Sequence, residues 1–306
     1  MRGLLLPSLS GYQSTWLPKD VVAGLVLSAL LVPQGMAYAE LAGLPPVTGL
    51  YTSILCLVGY ALVGPSRILV LGPDSALGPM IAATILPLVG AQGDPVRAVA
   101  LASALAIMTG IIMIAAGAGR LGFVADLLSK PTITGYLNGL ALTILVGQLP
   151  KFLGFSTDAD GFIAEVQTLL AGIANGEVVA AAAAIGAFSL VLILVLDRLL
   201  PRVPAVLVAV VAAMVVSVAL SLGEKGVKLV GPLVPGFPSF TLPSVGITDL
   251  GVLIVGAFGI SLVALTDTIS TATSFAERQG EQVDGNREMI GIGAAGAVAL
   301  FGGFVV

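Results

Sequence analysis

The sequence predicts an all-α membrane protein, and three observations predict it. Hydrophobic residues make up 57% of the 306-residue chain and charged residues only 10%, where a soluble domain carries about 25% charged residues. The apolar residues come in long charge-free runs without period-two alternation, which favours helices over a transmembrane barrel. Mean hydropathy is +1.08, far above that of a soluble domain.

Composition also narrows the chemistry. The chain has no histidine, so the commonest proton shuttle and metal ligand is missing and carboxylates are left for any proton work. Cys56 is the single cysteine, so no disulfide framework exists and no redox role is indicated. No nucleophile–base pair or metal cluster is visible, so the chain is not read as an enzyme. No cofactor and no nucleic-acid partner are expected; the bilayer is the partner that composition demands. The N-terminal MRGLLLPSLSGYQSTWLP is not a cleavable signal, because its apolar run is short and Pro7 interrupts it.

Nine runs are long enough, some with help from flanking residues, to cross about 30 Å of hydrocarbon. In order they are Val21–Ala39, Leu41–Ser66, Ser75–Gly93, Ala98–Gly119, Pro131–Pro150, Val178–Leu196, Val203–Gly223, Leu250–Thr266 and Met289–Val306. Phe155–Glu177, with Asp158, Asp160 and Glu165, reads as an external loop carrying a short amphipathic helix. GPLVPGFPSFTLPSVG, between the seventh and eighth runs, has four prolines and reads as a rigid extended linker. Glu277, Glu281, Asp284 and Glu288 interleave with Arg278 and Arg287 and read as a solvated cytoplasmic loop. Gly291, Gly293 and Gly296 read as a close helix-packing face.

With the N-terminus inside, the inner segments hold nine basic residues (Arg2, Lys19, Arg67, Arg120, Lys130, Arg198, Arg202, Arg278, Arg287) and the outer ones four (Arg97, Lys151, Lys225, Lys228). The positive-inside rule then gives a multi-pass protein a cytoplasmic N-terminus, and the plasma (inner) membrane is the expected location.

Three spans are unusual. In the first, Pro33 removes a backbone hydrogen bond and Gly35 permits unwinding, so freed carbonyls and the Gln34 amide are expected to face a cavity. A simple kink at Pro33, an interhelical hydrogen bond from Gln34 and an interfacial place for Tyr38 stay open. In the third, Gly72-Pro73-Asp74-Ser75 precludes a helix before about Asp74, so a half-helix begins inside the membrane and points its free amides and positive dipole end inward. That end is a seat for an anion, unless Ser75 is an ordinary N-cap. Asp74 competes for those amides.

The eighth span places Asp267 deep in an apolar helix, with Ser270 and Thr271 three and four residues on and therefore on its face. A carboxylate near a helix centre costs roughly 2.5–3.5 kcal/mol on insertion scales, so it faces a cavity, a partner or an ion path. Carboxylate and hydroxyl oxygens suit a hard cation such as Na+, or a proton.

LPKDVVAGLVLSALLVPQGMAYAELAGLPPVTGLYTS, from Leu17 to Ser53, resembles the signature of the sulfate permease (SulP) family. GPSRILVLGPDSALGPM is similar to the family's entry to helix three, and VGPLVPGFPSFTLP to its linker between helices seven and eight. The resemblance implies the first eight to nine segments of a 7+7 inverted-repeat transporter fold with core and gate domains. Residues 1–119 would be core helices one to four, 120–247 gate helices five to seven with the linker, and 248–306 core helices eight and nine. It implies that Gln34 and Tyr38 line the anion site from helix one and that Ser75 and Ala76 offer amides from helix three. Asp267 and Thr271 are similar to the sodium site of bicarbonate-transporting members, with proton coupling through Asp267 open. Relatives continue into helix ten, four more segments and usually a STAS domain, so a chain that stops at Val306 without a STAS domain reads as a truncated form. The implied function is secondary active transport of a small inorganic or carboxylate anion, sulfate or bicarbonate, coupled to Na+ or H+ by alternating access, in a homodimer. The alternative is a channel-like anion pore or a non-transporting membrane fragment.

Overall fold

The computed structural model describes residues 12–66, 69–74, 76–90, 94–121, 130–157, 162–201, 203–231, 236, 243, 245–279 and 284–296. Among them every regular element is helical. The helices are α1 (Leu17–Leu41), α2 (Pro46–Val63), α3 (Gly78–Val89), α4 (Pro95–Ala118), α5 (Lys130–Leu153), α6 (Phe162–Ala174), α7 (Ala180–Leu199), α8 (Ala205–Ala219), α9 (Ile247–Gln279) and α10 (Gly285–Gly296). The chain forms two compact units, residues 1–130 with 234–306, and residues 131–233.

Each apolar run holds a helix within its described residues, because nothing in it offers the backbone a better partner than itself in hydrocarbon. Among the described residues, five stretches are long and apolar enough to cross a membrane: Ser14–Leu41, Pro46–Val63, Pro95–Ala118, Ala180–Leu199 and Ile247–Ile269. The chain is thus a multi-pass integral membrane protein.

The first unit is built around α4. Its start is set by Asp94, whose side chain accepts the Val96 N–H at 2.9 Å, with Pro95 in the first turn, where its missing N–H is not needed. Ala98, Ala102, Ala104 and Ala106 are buried along α4 and let other backbones come close, while Leu101, Leu105 and Met113 fill the space between. α10, α9 and α3 pack on α4, and α10 also packs on α2. Gly291, Gly293 and Gly296 are buried in α10, the small-residue packing expected of them.

Two expectations are corrected here. α1 does not unwind at Pro33–Gly35; it is one unbroken helix with Pro33 inside. Proline withholds only its own bond to the Ala29 carbonyl, and the absent Gly35 side chain serves packing instead. A Cβ on Gly35 would lie 2.7 Å from Ser53 Oγ and 3.1 Å from the Gly49 carbonyl oxygen, so α1 and α2 touch backbone to backbone there. Glu288 is not part of a solvated loop: it is 2% exposed, in the first turn of α10.

In the second unit α7 packs on α8, and a short 3-10 turn, Leu222–Lys225, follows. The amphipathic helix expected in Phe155–Glu177 is α6, with Leu169 and Gly172 on its buried side. The Lys228 ammonium donates to Ser156 Oγ at 2.8 Å. The linker is described at positions 231, 236, 243, 245 and 246 only.

Candidate functional site

The third run became a helix of 12 residues, Gly78–Val89, about 18 Å long at 1.5 Å per residue and too short to cross the bilayer alone. It begins later than the earliest position the sequence allows, because Asp74 first closes a turn of its own. The Asp74 Oδ1 accepts the Ala76 N–H at 2.8 Å, and the Asp74 carbonyl accepts the Gly78 N–H at 3.1 Å. Pro73 blocks any helical bond before that point. Leu77, Ile81 and Ile85 are fully buried and anchor this half-helix in the first unit's core.

Facing the approach to α3 is α9, held against α3 and α4 by Leu253, Ala257, Ile260 and Ala264, all buried. Between the two lies a cavity of about 140 Å³, lined by the extended segment Leu69–Gly72, by Asp74 and Leu77, and by Ala264, Asp267 and Thr268 of α9. Asp74 and Asp267 thus line one cavity from two different elements. Neither is paired with a lysine or arginine among the described ion pairs. Among the described residues, the polar side chains lining this cavity are all oxygen donors.

Asp267 stands where the sequence placed it, facing a cavity. Ala76 is buried, and its amide is already held by Asp74. Gln34 and Tyr38 share one face of α1, the Gln34 Nε2 donating to the Tyr38 hydroxyl at 3.1 Å, and neither lines the cavity. Ser75 lies outside the described residues, and Thr271 lies one turn beyond Asp267 in α9 with its side chain outside them. Sequence reasoning missed Thr268. It followed the helix face C-terminal to Asp267, whereas the cavity takes the stripe Ala264, Asp267, Thr268 at spacings of three and four. It did see that Asp74 would contest the amides.

The arrangement can hold a hard cation between oxygen donors and present a helix N-terminus beside it, provided the carboxylate on that terminus moves or is balanced.

Comparison with known proteins shows the family and the fold. The family model described as the sulfate permease family matches residues 17–306. The chain is 41% identical over 296 residues to a probable sulfate transporter of Mycobacterium tuberculosis, covering 96% of this chain and 52% of that protein. It is 32% identical to probable sulfate transporter 3.5 of Arabidopsis thaliana, covering 94% of this chain and 48% of the other. The chain thus spans about half the length of the curated relatives it matches. Among solved structures, the murine Solute Carrier 26 family member A9 anion transporter in its inward-facing state superposes with a TM-score of 0.90 at 26% identity, over 99% of this chain and 54% of that one. The transmembrane domain of the cyanobacterial bicarbonate transporter BicA superposes at 0.84 with 23% identity, over 96% of this chain and 74% of that one, a likeness of fold.

Proposed function

The chain belongs to the sulfate permease family, and on that premise we propose that it serves in secondary active transport of a small oxyanion, sulfate or bicarbonate, coupled to Na+ or H+. The observation that carries this reading is the cavity that Asp267 and Asp74 both line, with Asp74 also accepting the Ala76 N–H at 2.8 Å. The oxygen-only donor set fits a hard cation. Asp267 and Asp74 would hold it, with Thr271 one turn on as a further ligand. Bound there, the cation would supply one positive charge against the two carboxylates.

The residues divide the work. Asp267 gives α9 a fixed negative charge at membrane depth, which favours the loaded over the empty cation site. The amides of Ser75 and Ala76 and the dipole of α3 supply the positive end for the anion, and Gln34 and Tyr38 of α1 line its approach. The unit holding α1–α4, α9 and α10 acts as the core, and the unit holding α5–α8 as the gate, in an alternating-access cycle of a homodimer with a cytoplasmic N-terminus. Anion and cation bind together because each screens the charge that would repel the other.

Uptake of labelled sulfate and bicarbonate into proteoliposomes, using the natural full-length protein with and without a sodium or proton gradient, tests this. Saturable uptake that follows a cation gradient is the expected result. Flux that rises linearly with concentration and ignores both gradients would replace the carrier by an anion pore.

A further inference from the structure

Asp74 is an unusual guest in an anion seat. An incoming oxyanion needs N–H donors at the start of α3, yet the Ala76 N–H is 2.8 Å from Asp74 Oδ1, and one N–H does not serve two anionic oxygens at full strength. Asp267 faces the same cavity of about 140 Å³. Two fixed carboxylates therefore stand where one small anion is to bind. Among the described residues that line this space there is no arginine or lysine.

We propose that Asp74 is a specificity-determining residue, a tethered carboxylate that occupies the anion seat and selects monovalent over divalent anions. The inference rests on the transport reading given above and deepens it by naming the charge class of the substrate.

Charge makes the selection. A bound cation offsets one of the two carboxylates and leaves the other uncompensated. Whether the Asp74 side chain swings off the Ala76 amide or stays beside the substrate, its charge remains within a few ångströms of the site, because the backbone bond from the Gly78 N–H to the Asp74 carbonyl fixes the turn. Coulomb repulsion scales with the product of charges, so a dianion meets twice the penalty that a monoanion does. The partial positive charge of the α3 terminus, about half an elementary charge, does not remove it. A monoanion such as bicarbonate is favoured, and a dianion such as sulfate is held back by Asp74.

The test is the dissociation constant of sodium sulfate and of sodium bicarbonate, measured by titration calorimetry on the purified full-length protein at one pH and one sodium concentration. The parental protein is expected to bind bicarbonate more tightly. Asp74→Asn and Asp74→Ser are each expected to improve sulfate binding about tenfold more than bicarbonate binding. The serine variant matters because its hydroxyl can still accept the Ala76 N–H, so it removes the charge while keeping the turn. An unmoved ratio of the two constants in both variants overturns the inference and leaves the transport reading in place. So does loss of both anions in a serine variant that melts at the parental temperature, since the carboxylate would then build the seat. A parental protein that binds neither anion sinks the transport reading itself, and this inference with it.

Discussion

The Tyr60 hydroxyl donates a 2.6 Å hydrogen bond to Oε2 of Glu288, joining the last turn of α2 to the first turn of α10. The same phenolic oxygen accepts the Ser66 N–H at 3.3 Å, and Ser66 Oγ in turn accepts the Leu69 N–H at 3.4 Å. A chain of bonds thus runs from a buried acid on α10 to the start of the extended segment that lines the cavity. The bond spans 228 positions of sequence, so it sets tertiary position and not local conformation.

Tyr60→Phe keeps the ring and deletes the donor. It leaves a carboxyl that is 2% exposed with one partner fewer, and a buried group that loses its partner costs about 1–3 kcal/mol. The expected outcome is a melting temperature in detergent several degrees below the parental protein. Tyr60→Phe paired with Glu288→Gln should lose less than the sum of the two single changes, since both act on one bond. Additive losses would show that the bond carries no coupling.

The contact of α1 with α2 predicts a steric effect. A Cβ on Gly49 would meet the Gly35 carbonyl carbon at 2.5 Å, and backbone does not give way as a flexible side chain does. Gly49→Ala is expected to destabilise by about 1–3 kcal/mol, the range for an overpacked interface, and to reduce the monodisperse fraction in size-exclusion chromatography. Gly24→Ala, on the same helix as Gly35 but with nothing within 4 Å of the added carbon, should be neutral or slightly stabilising. Equal behaviour of the two variants would refute backbone-to-backbone contact as the reason for Gly49.

What was legible in the sequence follows from which forces are local. Run length and the absence of charge dictate helices in hydrocarbon, so α1, α2, α4, α7 and α9 could be marked from composition alone. Gly72-Pro73-Asp74 announced the half-helix, because proline and glycine act on the backbone directly. Asp267 was legible because a carboxylate at that depth is costly wherever the helix packs. Pro33 misled, since proline removes one bond without saying whether the helix breaks or merely bends. Glu288 misled more: its neighbours Asp284 and Arg287 form an exposed pair at 3.5 Å, and only a tyrosine far away in sequence reveals that Glu288 points the other way. That Asp74 and Asp267 line one cavity is a fact of the same non-local kind.

The ion pair of Arg97 with Asp249, 3.4 Å apart, links the start of α4 to the start of α9. The arginine side chain is half exposed, so solvent and salt screen the pair. Asp249 also sits in the first turn of α9, where the helix amides stabilise it without help. Arg97→Gln is accordingly expected to shift stability by less than about 1 kcal/mol, with the shift shrinking as sodium chloride is raised. A loss of several kcal/mol that persists in high salt would mark the pair as a buried structural tie.

Asp267→Asn separates the work of the site from the fold. The substitution keeps the shape of the side chain and removes its charge, and an uncharged amide is easier to bury at membrane depth than a carboxylate. Removing one of two facing carboxylates also relieves their mutual repulsion. Stability is therefore expected to stay level or rise, which thermal melting in detergent measures. Coupled uptake of sulfate and bicarbonate by the full-length protein is expected to disappear, because the fixed charge that holds the cation is gone. Uptake is lost while stability is not, so a folding defect cannot imitate the result. Uptake at the parental rate, with the parental dependence on sodium or proton gradient, would remove Asp267 from the coupling site and leave Asp74 as the acid to test next.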